Sequence, residues 1–359
     1  EGHAADTLLG AFTFGSDNAV SVFVNAHRGD AAEVVRSVEH ELAHRSLALD
    51  SDFGAVQIAL AMAMIDRPNE PNWASWLADS VESSWAAYEG FALQREAWIG
   101  AIHGMEFPGP TQARYRDAAL QYDLLCSALP NDLKPLWYIF SRAVADYALN
   151  FSLAGVRAQS LLTPEGIRAF LRDERRRADS RLGRLSTSIE RHGFDNVTLD
   201  RVRGAIASTH KRLGSFAADS VQAYVESFLA VQDDRRRYFV ELERAITPLW
   251  YDCFTRTCPE LPFDPVGAER ARFLDEVRRD LGVPVPRIGR NTEAPWPHNA
   301  DVYSVQHVYR GRFDHEATFP ESDDSVQMLR DWAESPNVAA YAIWAVGSTV
   351  CVLAFMDGP

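Results

Sequence analysis

Four cysteines in 359 residues, at 126, 253, 258 and 351, are too few and too scattered for a disulfide-stapled secreted scaffold. They suit a reducing compartment, and the chain reads as cytoplasmic. No second Cys or His pair stands at ligand spacing from Cys253 and Cys258, so these read as ordinary thiols. There is no run of 18 apolar residues, so no membrane span is expected. Basic residues are in deficit, 36 against 50 acidic, for a formal charge of −14. A field of that sign repels phosphate backbones, and nucleic acid is not an expected partner. No repeat of fixed period stands out, so a solenoid is possible but has no support in the sequence. The chain opens on Glu1 rather than Met and stops just after an apolar segment, which reads as a fragment of a longer chain.

What is present is 47% apolar and 24% charged, the balance of a globular protein able to bury a large core. The length suggests two domains or three. Residues 7–26 read as a β-hairpin, with turn chemistry at Gly15–Asn18 and β-branched residues over Val20–Val24. Asp30 is placed to cap a helix over 31–48, a second helix covers 55–65, and a long third one covers 73–102. Along the third, Leu77, Val81, Trp85, Tyr88 and Ala92 form an apolar stripe, and Glu82, Glu89 and Glu96 recur every seven residues at its edge. Glu82 and Glu96 read as a solvated acidic edge.

Residues 111–153 and 163–245 are dense in helix formers, with breaks expected near Pro130, Pro164, Gly193 and Pro248. The six arginines of 172–184, interleaved with acids, read as a solvated helix face. Prolines thicken over 259–297 around one helix, a linker pattern. Beyond it, alternation at 301–309 and strand-like runs at 339–343 and 349–355 enclose a helix over 325–334.

The chemistry sits in the first helix, in His40-Glu41-Leu42-Ala43-His44. Two imidazoles four residues apart lie on one helical face, the geometry for gripping one zinc ion, with Glu41 placed as general base on a bound water. At about 100° per residue, Ala31, Val35, Val38, Leu42 and Leu49 cluster opposite His40, whereas Glu33, Ser37 and His44 fall with it. The back of the helix should pack, and the histidines should face a cleft or a second layer.

A catalytic zinc needs a third protein ligand. One candidate is Glu89, 45 residues after His44, in Trp85-Ala86-Ala87-Tyr88-Glu89-Gly90-Phe91-Ala92. The His-Glu-x-x-His helix followed by this glutamate resembles the gluzincins, zinc peptidases in which a glutamate from a later helix joins two histidines. The Glu-Gly-Phe-Ala string is similar to its surroundings in the aminopeptidase branch, although no exopeptidase motif precedes the histidines. The resemblance covers about residues 7–100 and implies His40, His44 and Glu89 as metal ligands and Glu41 as base. The other candidate is Asp50, ten residues after His40, where a metzincin-like pattern places its third ligand. There Leu47 occupies the position of the turn-forming glycine.

Zincin folds also imply that Val20–Val24 borders the substrate cleft, where a peptide could add as an extra strand. A further donor would stabilise the oxyanion, and Tyr88, His103, Tyr115, Tyr147, His192 and His210 are all available. The resulting expectation is an α+β, predominantly α-helical chain. It divides into a zincin-like peptidase core at 1–130, a helical region at 131–258, the linker at 259–297 and a small α+β module at 298–359. The expected function is zinc-dependent endopeptidase cleavage of a peptide or protein substrate, with one Zn2+ per chain. The rival reading is an interaction or regulatory protein in which the metal site is structural, or a latent peptidase released by a partner.

Overall fold

The computed structural model describes the backbone at residues 10–14, 20–24, 31–67, 72–103, 110, 112–213, 233–265, 267–281, 287–289, 302–309, 312–320, 327, 338–346 and 349–356. Side chains are described at 36–64 except 38, at 67, 72–101, 110 and 112–212, at 240–281 except 266 and 268, and at 327. Two compact units divide the chain, Glu1–Leu274 and Asp275–Pro359.

The first unit is built by helices packing on helices. α1 (Ala31–Asp50) and α2 (Asp52–Asp66) meet at a 90° bend. Ser51 makes that corner with an extended backbone, and its Oγ accepts the Gly54 N–H at 3.0 Å. Glycine is required at 54, because a Cβ there would stand 2.0 Å from the Ala48 carbonyl oxygen. From Phe53 to Ala63 every apolar side chain of α2 is at most 1% exposed. A helix apolar on all sides belongs in the middle of a core.

The expected helix over 73–102 is two, α3 (Trp73–Glu82) and α4 (Trp85–His103). The hydroxyls of Ser83 and Ser84 both turn back onto the Ser80 carbonyl, at 2.9 and 3.1 Å, competing with the helical ladder. The first amides of α4 are taken instead by Asp179, whose Oδ1 accepts the Ala87 N–H at 3.0 Å while its own N–H donates to the Ser83 carbonyl at 3.1 Å.

Then follow α5 (Ala113–Ser127), α6 (Trp137–Leu149), α7 (Ala158–Leu161), α8 (Pro164–Arg172), α9 (Ala178–His192), α10 (Asn196–Leu213), α11 (Asp233–Thr257) and α12 (Ala268–Leu281). α4 packs against α1, α5, α6 and α9, and α6 against α1, α2, α4, α5, α9 and α11, so these two helices hold the centre. Trp98 of α4 stacks on Tyr138 of α6 with centroids 3.9 Å apart. Pro164 opens α8 and Gly193 ends α9 with φ 66, as expected. Pro248, by contrast, lies inside α11 and does not end it, at the loss of one ladder hydrogen bond.

The arginine run also departs from the sequence reading. Arg181 is fully buried, with its guanidinium donating to the carbonyls of Tyr147, Ala148, Asn150, Arg175 and Pro262. It gathers the end of α6, the turn before α9 and the segment after α11 onto one cation. Burial lowers it to about 10. Arg175 and Arg184 do pair on the surface, with Asp173 and Glu174.

The expected fold class is corrected. The body whose side chains are described is about 80% helix and contains no strand, so neither the zincin-like hairpin nor an α+β module forms part of it. Its core comes from α2, α4 and α6, not from a sheet with helices laid on it. Outside that body only backbone strands are described. β1 (Gly10–Phe14) pairs antiparallel with β2 (Val20–Val24). In the second unit β3 (Arg287–Gly289), β4 (Val302–Tyr309), β5 (Arg312–Pro320), β6 (Val338–Val346) and β7 (Thr349–Met356) align in the order β3-β6-β7-β4-β5, with β4 and β7 parallel. The expected cap Asp30, the turn at 15–18 and most of the helix at 325–334 lie outside the described residues. Among the described residues no single helix is long and apolar enough to cross a membrane.

Candidate metal centre

α1 contributes His40, Glu41 and His44, and α4 contributes Glu89 and Glu96. Two close approaches bring the helices and their neighbours to this register. Gly90, next to Glu89, lets the Tyr122 ring of α5 lie on α4; a Cβ would stand 2.4 Å from that ring. The Tyr122 hydroxyl then donates to the Ala87 carbonyl at 2.9 Å. Arg95 of α4 donates to Glu39 of α1 at 2.8 Å, tying the seam beside the site.

At the centre, the Nε2 atoms of His40 and His44 stand 2.9 Å apart. Glu89 bridges them, with Oε2 3.1 Å from His40 Nε2 and Oε1 3.3 Å from His44 Nε2. Ligand atoms of all three residues lie within 4.8 Å of one another, so the group could hold a metal ion. At zinc–ligand distances of about 2.0–2.2 Å, neighbouring ligands of a tetrahedral ion stand roughly 3.3–3.6 Å apart. The observed 2.9, 3.1 and 3.3 Å edges fall a few tenths short of that range or meet it. Glu89 Oε2 is buried without an aligned hydrogen bond, an acceptor suited to a cation. The residues present therefore fit a small divalent ion.

Burial alone would depress the His40 imidazolium and raise the Glu89 carboxyl. In the protein without metal, the hydrogen bonds and charges of Glu89 and Glu96 outweigh burial and hold His40 up to about 10. The His44 charge and the imidazole hydrogen bonds hold Glu89 down to about 2. Glu41 is 8% exposed, and burial raises its carboxyl, with His44 and His40 pulling the other way. A raised carboxyl is a stronger base, the direction a proton acceptor needs.

The remaining sequence candidates separate clearly. Asp50 lies at the far end of α1, exposed and 3.5 Å from Arg142, away from the imidazoles. Tyr88 is buried and stacked on His44, with centroids 6.0 Å apart. Tyr115 of α5 is half-buried, packs edge-on against Trp85 at 5.2 Å, and is raised by burial and by the charges of Glu89, Glu41 and Glu96. Tyr147 is in the core, with its hydroxyl on the Cys258 carbonyl at 3.3 Å. His192 and His210 stand on α9 and α10, and the His103 side chain lies outside the described residues.

Glu96 overturns the solvated-edge reading, since its Oε1 is 2.6 Å from His40 Nδ1. Glu82, at the end of α3, is exposed and pairs with Arg114, as that reading expects. The back of α1 also differs from the angular reading: Leu42 and Leu49 are half-buried, while Ala43, Leu47 and Ala48 are fully buried. The histidines face a second helical layer, α4. The site is a seam between helices, separate from the surface cavity of about 650 Å³ lined by Arg184, Arg191 and His192.

Comparison with protein-family models, with curated proteins and with solved structures found no match in any of the three.

Proposed function

We propose that this chain is a zinc-dependent hydrolase acting on peptide bonds, with His40, His44 and Glu89 as the metal ligands. The observation that supports it is the convergence of both Nε2 atoms and both Glu89 oxygens on one point, with Glu41 on the same helix. A zinc ion held there would supply a lowered pKa to its water and positive charge for the scissile carbonyl oxygen. Glu41 takes the proton of the attacking water and returns it to the leaving amine. Tyr115, which feels the charges of Glu89, Glu41 and Glu96, is a neutral donor that would serve the developing oxyanion. The substrate is a peptide or protein, and the scattered cysteines favour a cytoplasmic setting.

Metal analysis of the purified chain tests the ligand set, with about one zinc per chain expected from a three-residue site. Less than about 0.2 zinc per chain, with no uptake on titration, would falsify it. Glu41→Gln tests the chemistry: the variant should keep its zinc and lose peptide cleavage by at least about 100-fold. Cleavage at the wild-type rate would refute Glu41 as base.

One observation favours a second reading, a latent peptidase or a structural site. His44 is 2% exposed, Glu89 7% and Glu41 8%, which leaves little open face for a substrate among the described residues. Cleavage that appears only on adding a regulatory protein partner would select the latent form. A zinc whose every position is filled by protein ligands would select the structural one.

A further inference from the structure

Glu96 takes no part in the chemistry above, yet it holds one of the two imidazoles more closely than any ligand does. It lies seven residues after Glu89 on α4, two helical turns away, so the two carboxylates flank the His40 ring. Glu89 Oε2 is 3.1 Å from Nε2, and Glu96 Oε1 is 2.6 Å from Nδ1. A carboxylate accepts and does not donate, so Nδ1 carries the hydrogen. A neutral ring protonated at Nδ1 has its lone pair at Nε2, the atom 2.9 Å from His44 Nε2. Arg36, one turn before His40 on α1, has its Nε 3.9 Å from Glu96 Oε2, on the side of the carboxylate away from the ring. The Glu96 side chain is 15% exposed, so water competes little for the bond.

We propose that Glu96 is the positioning residue of the metal centre, fixing His40 as the Nδ1–H tautomer and aiming Nε2 at the point where His44 and Glu89 converge. The inference rests on the reading of His40, His44 and Glu89 as metal ligands. Partners of this kind typically raise metal affinity about 10–100-fold. Glu82 supplies an internal control, since it shares the seven-residue spacing in sequence but ends α3 and pairs with Arg114 on the surface.

The test is a zinc titration of the full chain, with Glu96→Ala, Glu96→Gln and Glu82→Ala beside the wild type, together with proton NMR of the imidazole N–H groups. Glu96→Ala should weaken zinc binding about 10–100-fold, Glu96→Gln should lie near the lower end of that range, and Glu82→Ala should match the wild type. The wild type should show a far-downfield, exchange-protected Nδ1–H resonance from His40, with and without zinc, and Glu96→Ala should lack it. A purely structural role for Glu96 would not move that resonance. Circular dichroism checks the fold, and where Glu96→Ala does not fold, Glu96→Gln carries the comparison. Zinc uptake by the wild type with affinity unchanged within about twofold in the folded Glu96 variants overturns the positioning role alone. Absence of zinc uptake by the wild type overturns the ligand set and the positioning role together.

Discussion

Asp52 carries a pH dependence that is separate from the candidate metal site. It is 1% exposed, its Oδ1 accepts from Arg270 at 3.2 Å, and its Oδ2 is buried without a hydrogen bond. Burial, partly offset by the charge and hydrogen bond of Arg270, pushes its carboxyl from 3.8 up to about 6. The folded state therefore binds this proton more tightly than the unfolded chain does. The contribution of Asp52 to stability falls as pH rises from about 4 through about 6 and is level above that. Urea unfolding of wild type and Asp52→Asn across that range should show the variant gaining on the wild type as pH rises, and a constant difference would contradict this. Gly90 makes a steric counterpart. A methyl group 2.4 Å from the Tyr122 ring forces α4 and α5 apart, so Gly90→Ala should lose roughly 1–3 kcal/mol of stability in the same experiment. At this scale the sequence was partly readable. His40 and His44 lie one turn apart by local geometry alone, and Glu89, one of two carboxylates offered as their partner, is the one the fold brings to both imidazoles. Glu96 was not readable, because a glutamate every seven residues looks the same whether it meets water, as Glu82 does, or an imidazole from another helix.

The α3–α4 break is the clearest case of an element hidden from sequence. Leu77, Val81, Trp85 and Tyr88 keep one helical stripe running across it, so periodicity sees no interruption. What interrupts the helix is a set of serines that bond backward and a cap delivered by Asp179, 92 residues from the amide it accepts. Such a cap is worth about 0.5–2 kcal/mol, so Asp179→Ala should destabilise the chain by that amount. Because α4 bears Glu89 one turn beyond the cap, the same variant should also bind zinc more weakly. A stable variant with wild-type affinity would show that the start of α4 is held by its packing alone. Arg181 follows the same logic at the other end of the body. Its five carbonyl partners come from three segments, and nothing in an arginine-rich stretch distinguishes the one residue that turns inward.

For the molecule as a whole, metal and fold should be thermodynamically linked. A ligand that binds only the native state stabilises it by about 2.7 kcal/mol at 100 times its dissociation constant. Zinc should therefore raise the melting temperature measured by calorimetry, and a chelator should lower it, whereas a chain indifferent to both would hold no native-state metal. The expected α+β class failed at this scale. The strand-like runs at both ends of the sequence lie outside the helical body, which is organised by an all-round apolar helix, α2, and by α4 and α6, each packed on at least four others. No local pattern shows that one helix will touch four others.

The seam between α1 and α4 also sets how quickly the site can be emptied. Its candidate ligands come from two helices and are nearly closed to solvent, with His44 at 2% and Glu89 at 7% exposure. An ion held there leaves when the helices part, not when a chelator arrives. Stripping should then proceed at a rate independent of chelator concentration and equal to the opening rate of the seam, the rate at which hydrogen exchange would report the amides around His40 becoming exposed.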